Sequence, residues 1–164
     1  MFVNSDFSDL LKIFNDKSVQ YLIIGGYAVI QHGEPRYTKD LDVWIATNAE
    51  NGIAIYGALK EFGAPLANLS AEDFMGDGYF YQMGSPPVRI DIMMGIPGVN
   101  FVDAWARRVE VNYDGLWVKF ISKEDLIVAK FAAGRPQDLI DAANLGGKKV
   151  RSTVKPKQVR NKRK

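Results

Sequence analysis

Two aspartates separated by one residue, Asp40 and Asp42, are the residues of this sequence best suited to chemistry. They lie in the segment DLDVWI, where acidic and apolar residues alternate as in a β-strand, so both carboxylates point to the same face. Like charges at that distance repel each other unless a cation neutralises them. Carboxylate oxygens suit Mg²⁺ or Mn²⁺, and the pair therefore predicts a divalent-metal site.

A second segment repeats this arrangement further along the chain. In RIDIM, Arg89 and Asp91 share one strand face and the two isoleucines share the other. If this strand neighbours the first in register, Asp91 becomes a third ligand. Three carboxylates can hold two divalent ions about 3.5–4 Å apart, which stabilise the attacking and leaving oxygens of a phosphoryl transfer. We therefore predict Asp40, Asp42 and Asp91 as both catalytic residues and metal ligands.

A glycine pair offers a place for phosphate. Gly25 and Gly26 follow the apolar run VQYLII and precede a short helix predicted from Tyr27 to Gln31. Backbone N–H groups at the start of a helix favour anions, and glycine lets a phosphate approach without a Cβ in the way. Such a pair is more often only a turn, but here the aspartates follow it and strengthen the functional interpretation.

The elements that position these residues alternate between helix and strand and include two hairpins. Further helices are predicted at 5–17, 48–62, 101–107, 123–133 and 136–145, and strands at 19–24, 40–45, 78–84, 88–94, 109–112 and 116–121. We therefore predict an α/β (α+β) fold: a mixed β-sheet covered by helices, with further helices in the C-terminal part of the chain. Residues 1–147 are predicted to form one domain and 148–164 a basic C-terminal tail.

Charge separates this tail from the domain. Of the 21 lysines and arginines, nine lie in 148–164 without any acid, which leaves 12 basic residues against all 19 acidic ones elsewhere. Three interpretations fit such a tail: a solvated arm, attraction to the phosphates of RNA (tRNA included) or DNA, and contact with the chain's own acidic part or with a partner. The chain has no cysteine and one histidine, His32, which excludes disulfides, thiolate nucleophiles and multi-histidine metal sites.

The hydropathy pattern gives no sign of a membrane or of export. No apolar stretch approaches the ~20 residues that cross a bilayer. The first twelve residues lack the basic and apolar regions of a signal peptide. We expect a cytoplasmic protein with no membrane partner.

The stretch IIGGYAVIQHGEPRYTKDLDVWI resembles the signature of the nucleotidyltransferase superfamily. That signature is an apolar strand, Gly-Gly or Gly-Ser, a short helix, Asp-x-Asp on the next strand and a third aspartate later. The chain is most similar to the small bacterial branch of abortive-infection toxin-type (AbiEii-like) nucleotidyltransferases, in which Arg-x-Thr-x-Asp-x-Asp is frequent, as at Arg36 to Asp42 here. The segment SKEDLIVAKFAAGRPQDLIDAANL resembles that branch's C-terminal helices. The resemblance implies a nucleotidyltransferase-like fold.

The resemblance also implies an activity, which is transfer of a nucleoside monophosphate from an NTP to a hydroxyl group of RNA, a protein or a small molecule. Mg²⁺ or Mn²⁺ would be the cofactor and an antitoxin protein a partner. The NTP phosphates would be bound by the glycine pair and by polar side chains near it, which are Arg36, Thr38, Lys39 and Lys130. These basic residues also have a structural interpretation: Lys130 could extend to solvent, and Arg36 and Lys39 could be ordinary surface charges.

Two other functions are weighed against this one. A module of the same fold could bind nucleotide or nucleic acid, or pair with an antitoxin, without turnover. The three aspartates argue against it, because a binding module has no need to sustain their repulsion. Glycosyltransferases also use Asp-x-Asp, but there the motif normally ends an apolar strand, whereas here the run VWI follows it.

Overall fold

A computed structural model describes residues 4–85 and 88–147 of the chain. The basic tail predicted at 148–164 lies outside these residues. The α-helices in the described part are α1 (Ser5–Asp16), α2 (Gly25–Gln31), α3 (Ala49–Phe62), α4 (Phe101–Ala106), α5 (Lys123–Ala133) and α6 (Pro136–Asn144). The strands are β1 (Tyr21–Ile24), β2 (Leu41–Ile45), β3 (Phe80–Ser85), β4 (Val88–Met93), β5 (Val109–Tyr113) and β6 (Leu116–Phe120).

The six strands form one mixed sheet in the order β3-β4-β2-β1-β6-β5. β2 runs parallel to β4, and β1 runs parallel to β6, whereas the pairs β1–β2, β3–β4 and β5–β6 are antiparallel. The predicted mixed sheet with helices is therefore confirmed. This strand order puts β2, which carries Asp42, between β1 and β4, so the glycine bend after β1 and the later aspartate strand lie on either side of it.

Local sequence signals account for most helix boundaries. The Asn48 side chain accepts a hydrogen bond from the Asn51 N–H at the start of α3, and Ser122 does the same for Asp125 at the start of α5. Gly63 ends α3 in the left-handed conformation that glycine adopts without strain. These caps explain why the predicted and observed ends of the two helices agree to within one residue.

Two local features differ from the sequence-based expectation. α2 begins at Gly25 rather than Tyr27, so β1 passes directly into the helix. Glycine has a low helix propensity, and the pattern therefore placed the start at the first residue after the pair. A short 3₁₀ helix, Ala71–Phe74, was not predicted; its signal is the reciprocal cap between Ser70 and Asp73.

The core fills both sides of the central strands. Tyr21, Leu22 and Ile23 are successive residues of β1, and each is fully buried although neighbouring side chains on a strand point to opposite faces. α1 packs against α3 and β6, and α2 packs against β1 and β2. Within residues 4–85 and 88–147, the helices are all too short or too polar to span a membrane.

Candidate active site

Asp42 and Asp91 lie side by side because of the strand register. β2 and β4 are parallel, with Leu41 opposite Ile90 and Asp42 opposite Asp91. Leu41 and Ile90 are buried, and a slip of one residue would move them to the face of the carboxylates and put an aspartate into their apolar surroundings, so the apolar face fixes this register. The two carboxylates are consequently held next to each other on the opposite face.

Asp40 precedes β2 and joins the pair through an arginine. The Arg89 Nη2 atom lies 3.1 Å from Asp40 Oδ2 and 3.2 Å from Asp91 Oδ2, so one nitrogen bridges the two carboxylates. The other Asp91 oxygen accepts a hydrogen bond of 2.9 Å from Gln82 Nε2 on the edge strand β3. We call Asp40, Asp42, Asp91 and Arg89 the carboxylate cluster.

This cluster has more negative than positive charge, and the excess contributes to a raised pKa of Asp42. Burial, followed by the charge of Asp91 and a hydrogen bond with it, and then the charge of Asp40, raises the pKa of Asp42 to about 7. The Arg89 charge acts in the opposite direction without cancelling the rise. A carboxyl group that resists ionisation near neutral pH indicates a place where a further cation would be stabilised.

The glycine pair lies against the carboxylate cluster, where no larger residue fits. A Cβ on Gly25 would overlap the Asp42 carboxylate, and its φ of +70° is one that other residues rarely adopt. A Cβ on Gly26 would lie 2.6 Å from the Cβ and Oγ1 of Thr38. Thr38 in turn donates from Oγ1 to the Asp40 carbonyl oxygen at 3.3 Å. Close packing thus explains both glycines, and their predicted contact with phosphate stays a prediction.

A second group of charges lies between α5, α6 and the loop before β2. Lys130 Nζ is 3.0 Å from Asp141 Oδ2 and 3.4 Å from Asp138 Oδ1. Arg36 Nη1 contacts the same Asp141 oxygen at 2.5 Å, and Arg135 Nε contacts Asp138 Oδ2 at 2.7 Å. We call these five residues the helical charge cluster. Its lysine and both aspartates are buried, so each buried charge has a partner.

Both clusters line one cavity of about 280 Å³. Five of the predicted site residues line it, namely Gly25, Asp40, Asp42, Asp91 and Lys130, and the arginines at 89 and 135 line it too. The rest of the lining is mainly apolar and includes Met93, Ile96, Pro97, Leu126 and Ala129. A cavity of this size is at the lower end for ligand sites and has room for part of a nucleotide.

The remaining predicted phosphate ligands lie outside that lining. Gly26 and Thr38 pack against each other, and the Arg36 guanidinium is paired with Asp141. Lys39 is exposed, with its ammonium 5.6 Å from the centre of the Tyr37 ring. The structure therefore brings the aspartates, Gly25 and Lys130 together but does not bring Lys39 to the same place.

The donor atoms of the carboxylate cluster suit a hard divalent cation, but two of the three aspartates already bind Arg89. As the side chains stand, the described part of the chain contains no group of three or more histidine, cysteine, aspartate or glutamate residues that could hold a metal ion. Asp42 and Asp91 are the two carboxylates that contact each other directly.

Sequence reasoning placed Arg89 on the Asp91 face but gave it no role, and it missed Gln82. The hairpin supplies the signal for Gln82, because antiparallel pairing puts it opposite Asp91. Trp44, which strand alternation places on the same face as Asp42, is buried and packs edge-on against Phe101 at 4.9 Å between ring centres. Trp44 therefore belongs to the core, and Phe101 packs against it.

Among the comparisons with known proteins, a family model identifies the family of the chain and solved structures identify its fold. Residues 3–148 match the family model described as "Nucleotidyltransferase of unknown function (DUF6036)". No curated protein matches the chain.

Solved structures that are similar to the chain include the following three. The lincomycin-bound lincosamide antibiotic adenylyltransferase LnuA is 19% identical, with a TM-score of 0.55 over 88% of this chain and 96% of its own. A protein from Thermotoga maritima assigned as a nucleotidyltransferase is 15% identical, with a TM-score of 0.58 over 84% and 88%. An antigenic nucleotidyltransferase-like protein from Paracoccidioides brasiliensis is 17% identical, with a TM-score of 0.52 over 84% and 72%. Identities this low establish the fold alone.

Proposed function

Because this chain belongs to the DUF6036 family of nucleotidyltransferases, we propose that it moves a nucleoside monophosphate from an NTP to a hydroxyl group with the help of Mg²⁺ or Mn²⁺. The observation that carries the proposal is the register of β2 and β4, which holds Asp42 beside Asp91. Asp40 and Gly25 complete this side of the cavity.

The residues of the carboxylate cluster fit a divalent ion. Their donors are carboxylate oxygens, and the raised pKa of Asp42 indicates negative charge that one arginine does not balance. Asp42 and Asp91 would hold the ion, with Asp40 joining them when Arg89 gives up its contact. A bound divalent ion neutralises phosphate charge and lowers the pKa of a hydroxyl group that contacts it.

The chain's own residues would then do three things. The carboxylate cluster positions the acceptor hydroxyl so that its oxygen bonds to the α-phosphorus while the bond from that phosphorus to the β-phosphate oxygen breaks. Asp91 takes the hydroxyl proton on Oδ1, which accepts from Gln82 in this structure, while Oδ2 is left for the ion. Pyrophosphate leaves toward the backbone N–H groups of Gly25 and Gly26.

Lys130 and Arg135 are proposed to assist the phosphates without leaving their aspartates. Lys130 lines the cavity while bound to Asp141 and Asp138, and Arg135 lines it while bound to Asp138. Lys130 is buried, so its charge acts on the cavity with little screening by water, whereas Arg135 is exposed and its effect is weaker. Arg36, Thr38 and Lys39 would contact phosphate only after a change in the loop before β2.

The acceptor is tested best across three classes, which are a small molecule, RNA and protein. The lincosamide adenylyltransferase is bound to a small molecule, and this gives a reason to include small hydroxylated compounds among the acceptors tested. A toxin-type role with an antitoxin partner, and contact of the basic tail with tRNA, are further hypotheses that depend on the sequence resemblance.

The experiment is a label-transfer assay with the full chain. Each of the four NTPs, labelled at the α-phosphate, is incubated with Mg²⁺ and with total RNA, lysate protein or a panel of small hydroxylated compounds. Parallel reactions contain Asp42→Asn, or the control Asp114→Asn in an exposed hairpin turn. We expect the same product with wild type and the control and none with Asp42→Asn. A product formed equally by Asp42→Asn would refute the assigned site.

A second function, nucleotide binding without transfer, is favoured by one observation. Arg89 already bridges Asp40 and Asp91, so the cluster is partly neutralised without a metal ion. Equilibrium dialysis with an α-labelled NTP separates the two functions. Saturable NTP binding with no product in any of the three acceptor classes supports the binding module.

A further inference from the structure

Arg89 holds the carboxylate cluster with an incomplete set of contacts. A single atom, Nη2, makes both ion pairs, to Asp40 at 3.1 Å and to Asp91 at 3.2 Å. The Nε atom is buried and finds no hydrogen-bond partner among the residues that the structure describes. Neither carboxylate is bound in the two-pronged manner that makes arginine pairs strong. The guanidinium is thus held less firmly than its burial alone would suggest.

The Arg89 guanidinium contacts the same carboxylate oxygen atoms that a divalent ion would bind. Asp40 Oδ2 and Asp91 Oδ2 both face Nη2, while Asp91 Oδ1 is taken by Gln82. A guanidinium and a divalent cation repel each other, so the two compete for the same pair of oxygen atoms. Withdrawal of the guanidinium therefore favours binding of the ion to these atoms.

Withdrawal is sterically open to this side chain. About 35% of the Arg89 side chain is exposed, and it lines the cavity rather than the core. Arginine has a long flexible stem that can remain against apolar surface while its charged group moves toward water. The strand would stay in place, because the β2–β4 register depends on the buried apolar residues of both strands.

We propose that Arg89 is a positioning residue that occupies the cation place of the carboxylate cluster in the metal-free protein and competes with the divalent ion for Asp40 and Asp91. This inference rests on the proposed function, since it assumes that the cluster binds a metal. Arg89 holds the three aspartates together before loading, and the metal affinity of the wild type is weaker by the free energy needed to break its two contacts.

The test compares Mn²⁺ binding by three forms of the full chain in the absence of nucleotide, measured by electron paramagnetic resonance or calorimetry. Arg89→Gln removes the charge and keeps a shorter polar side chain. We expect it to bind Mn²⁺ about tenfold more tightly than wild type, which corresponds to about 1.4 kcal/mol. Its thermal midpoint in EDTA should be lower than that of wild type, because the aspartates lose their counter-charge.

The matched control is Arg108→Gln, which removes an ion pair to Glu110 from a side chain of similar exposure, 30%. It should leave the Mn²⁺ affinity unchanged. Tighter binding by Arg89→Gln, with no change in Arg108→Gln, supports the inference. Binding by Arg89→Gln when wild type binds too weakly to measure supports it as well. Equal or weaker binding by Arg89→Gln, when wild type binds Mn²⁺, overturns the inference and leaves the proposed function standing. Failure of all three forms to bind Mn²⁺ overturns both.

A measurement on wild type covers the case in which Arg89→Gln does not fold. The Nε–H signal of Arg89 in a ¹⁵N-labelled sample, assigned with Arg89→Lys, is followed during titration with Mg²⁺. We expect faster exchange of this proton with water as Mg²⁺ saturates the cluster, because the buried Nε becomes exposed. A signal that does not change at saturation would overturn the proposal.

Discussion

Two groups of charges line the same cavity and differ in their balance. The carboxylate cluster sets one arginine against three aspartates, whereas the helical charge cluster sets two arginines and a lysine against two aspartates. The pKa of Asp42 is raised, but that of Asp138 is lowered although burial acts to raise it, because Arg135 and Lys130 outweigh burial. Burial alone thus does not decide the state of a carboxylate, and the unbalanced cluster is the one suited to a cationic ligand.

The largest expected effect is on stability, from the substitution Asp141→Asn in the helical charge cluster. It removes the partner of both Lys130 and Arg36 and leaves the buried lysine without its closest counter-charge. We expect a loss of about 3–5 kcal/mol in the free energy of unfolding, measured with urea. The matched control is Glu61→Gln, whose partner Lys17 is on the surface, and it should cost less than about 1 kcal/mol. Equal effects of the two substitutions would mean that the cluster contributes little stability.

The same acid-to-amide change in the carboxylate cluster should have the opposite effect on stability. Asp42→Asn removes one of three crowded negative charges, so in EDTA at pH 8 the thermal midpoint should rise by about 2–4 °C for each kcal/mol gained. Label transfer should fall more than about 100-fold. Loss of a residue that only hydrogen-bonds a metal ligand costs up to about that much, and Asp42 is proposed as a ligand itself. A lower thermal midpoint of Asp42→Asn together with retained label transfer would show that Asp42, like Asp141, only stabilises the fold.

Two glycines of nearly equal φ separate the effect of crowding from that of backbone strain. Gly25 (φ +70°) lies against Asp42, whereas Gly134 (φ +69°), at the end of α5, has only the Phe131 carbonyl oxygen near its Cβ position, at 3.7 Å. Gly134→Ala should cost about 1–2 kcal/mol of strain in urea unfolding, and Gly25→Ala should cost more by the overlap with the carboxylate.

The double variant Gly25→Ala with Asp42→Ala checks this reasoning. Shortening residue 42 removes the carboxylate that the new Cβ would overlap but keeps the Cβ of residue 42, 3.0 Å away, so the cost of Gly25→Ala should fall toward that of Gly134→Ala. Strictly additive effects of the two substitutions would contradict direct contact between Gly25 and Asp42.

The smallest effect concerns acid stability. The pKa of Asp138 is lower in the folded state than its usual value of 3.8, so its contribution to stability is present above that pH and is lost as the pH falls through the folded-state pKa. Asp138→Asn should therefore have a shallower fall in unfolding free energy between pH 5 and pH 2.5, measured with urea at a series of pH values. A slope equal to that of wild type would remove Asp138 as a source of the acid sensitivity.

Much of the fold could be predicted because its signals are local. The caps at Asn48 and Ser122 and the glycines at 63 and 134 mark helix ends within the chain itself. Strand alternation likewise indicated which aspartates share a face. The start of α2 at Gly25 could not be predicted, because the low helix propensity of glycine opposes it.

The partners of the charged residues were harder to predict because they come from distant parts of the chain. Arg36 and Lys130 were predicted to contact phosphate, and in the structure both are bound to Asp141, which depends on how α6 packs beside α5. Arg89 was placed on the correct strand face, but its bridge to Asp40 depends on the order of β2 and β4 in the sheet. Strand order and helix docking are properties of the whole fold that residue spacing does not encode.

We propose above all that the unbalanced carboxylates beside Gly25 bind the metal ion and the nucleotide. The most direct measurement is anomalous X-ray scattering from crystals grown with Mn²⁺ and an NTP analogue that cannot be hydrolysed. We expect an anomalous peak for a manganese ion that is bound by Asp42 and Asp91, with the triphosphate extending toward Gly25. A peak elsewhere, with Arg89 still bridging Asp40 and Asp91 while nucleotide is bound, would contradict it.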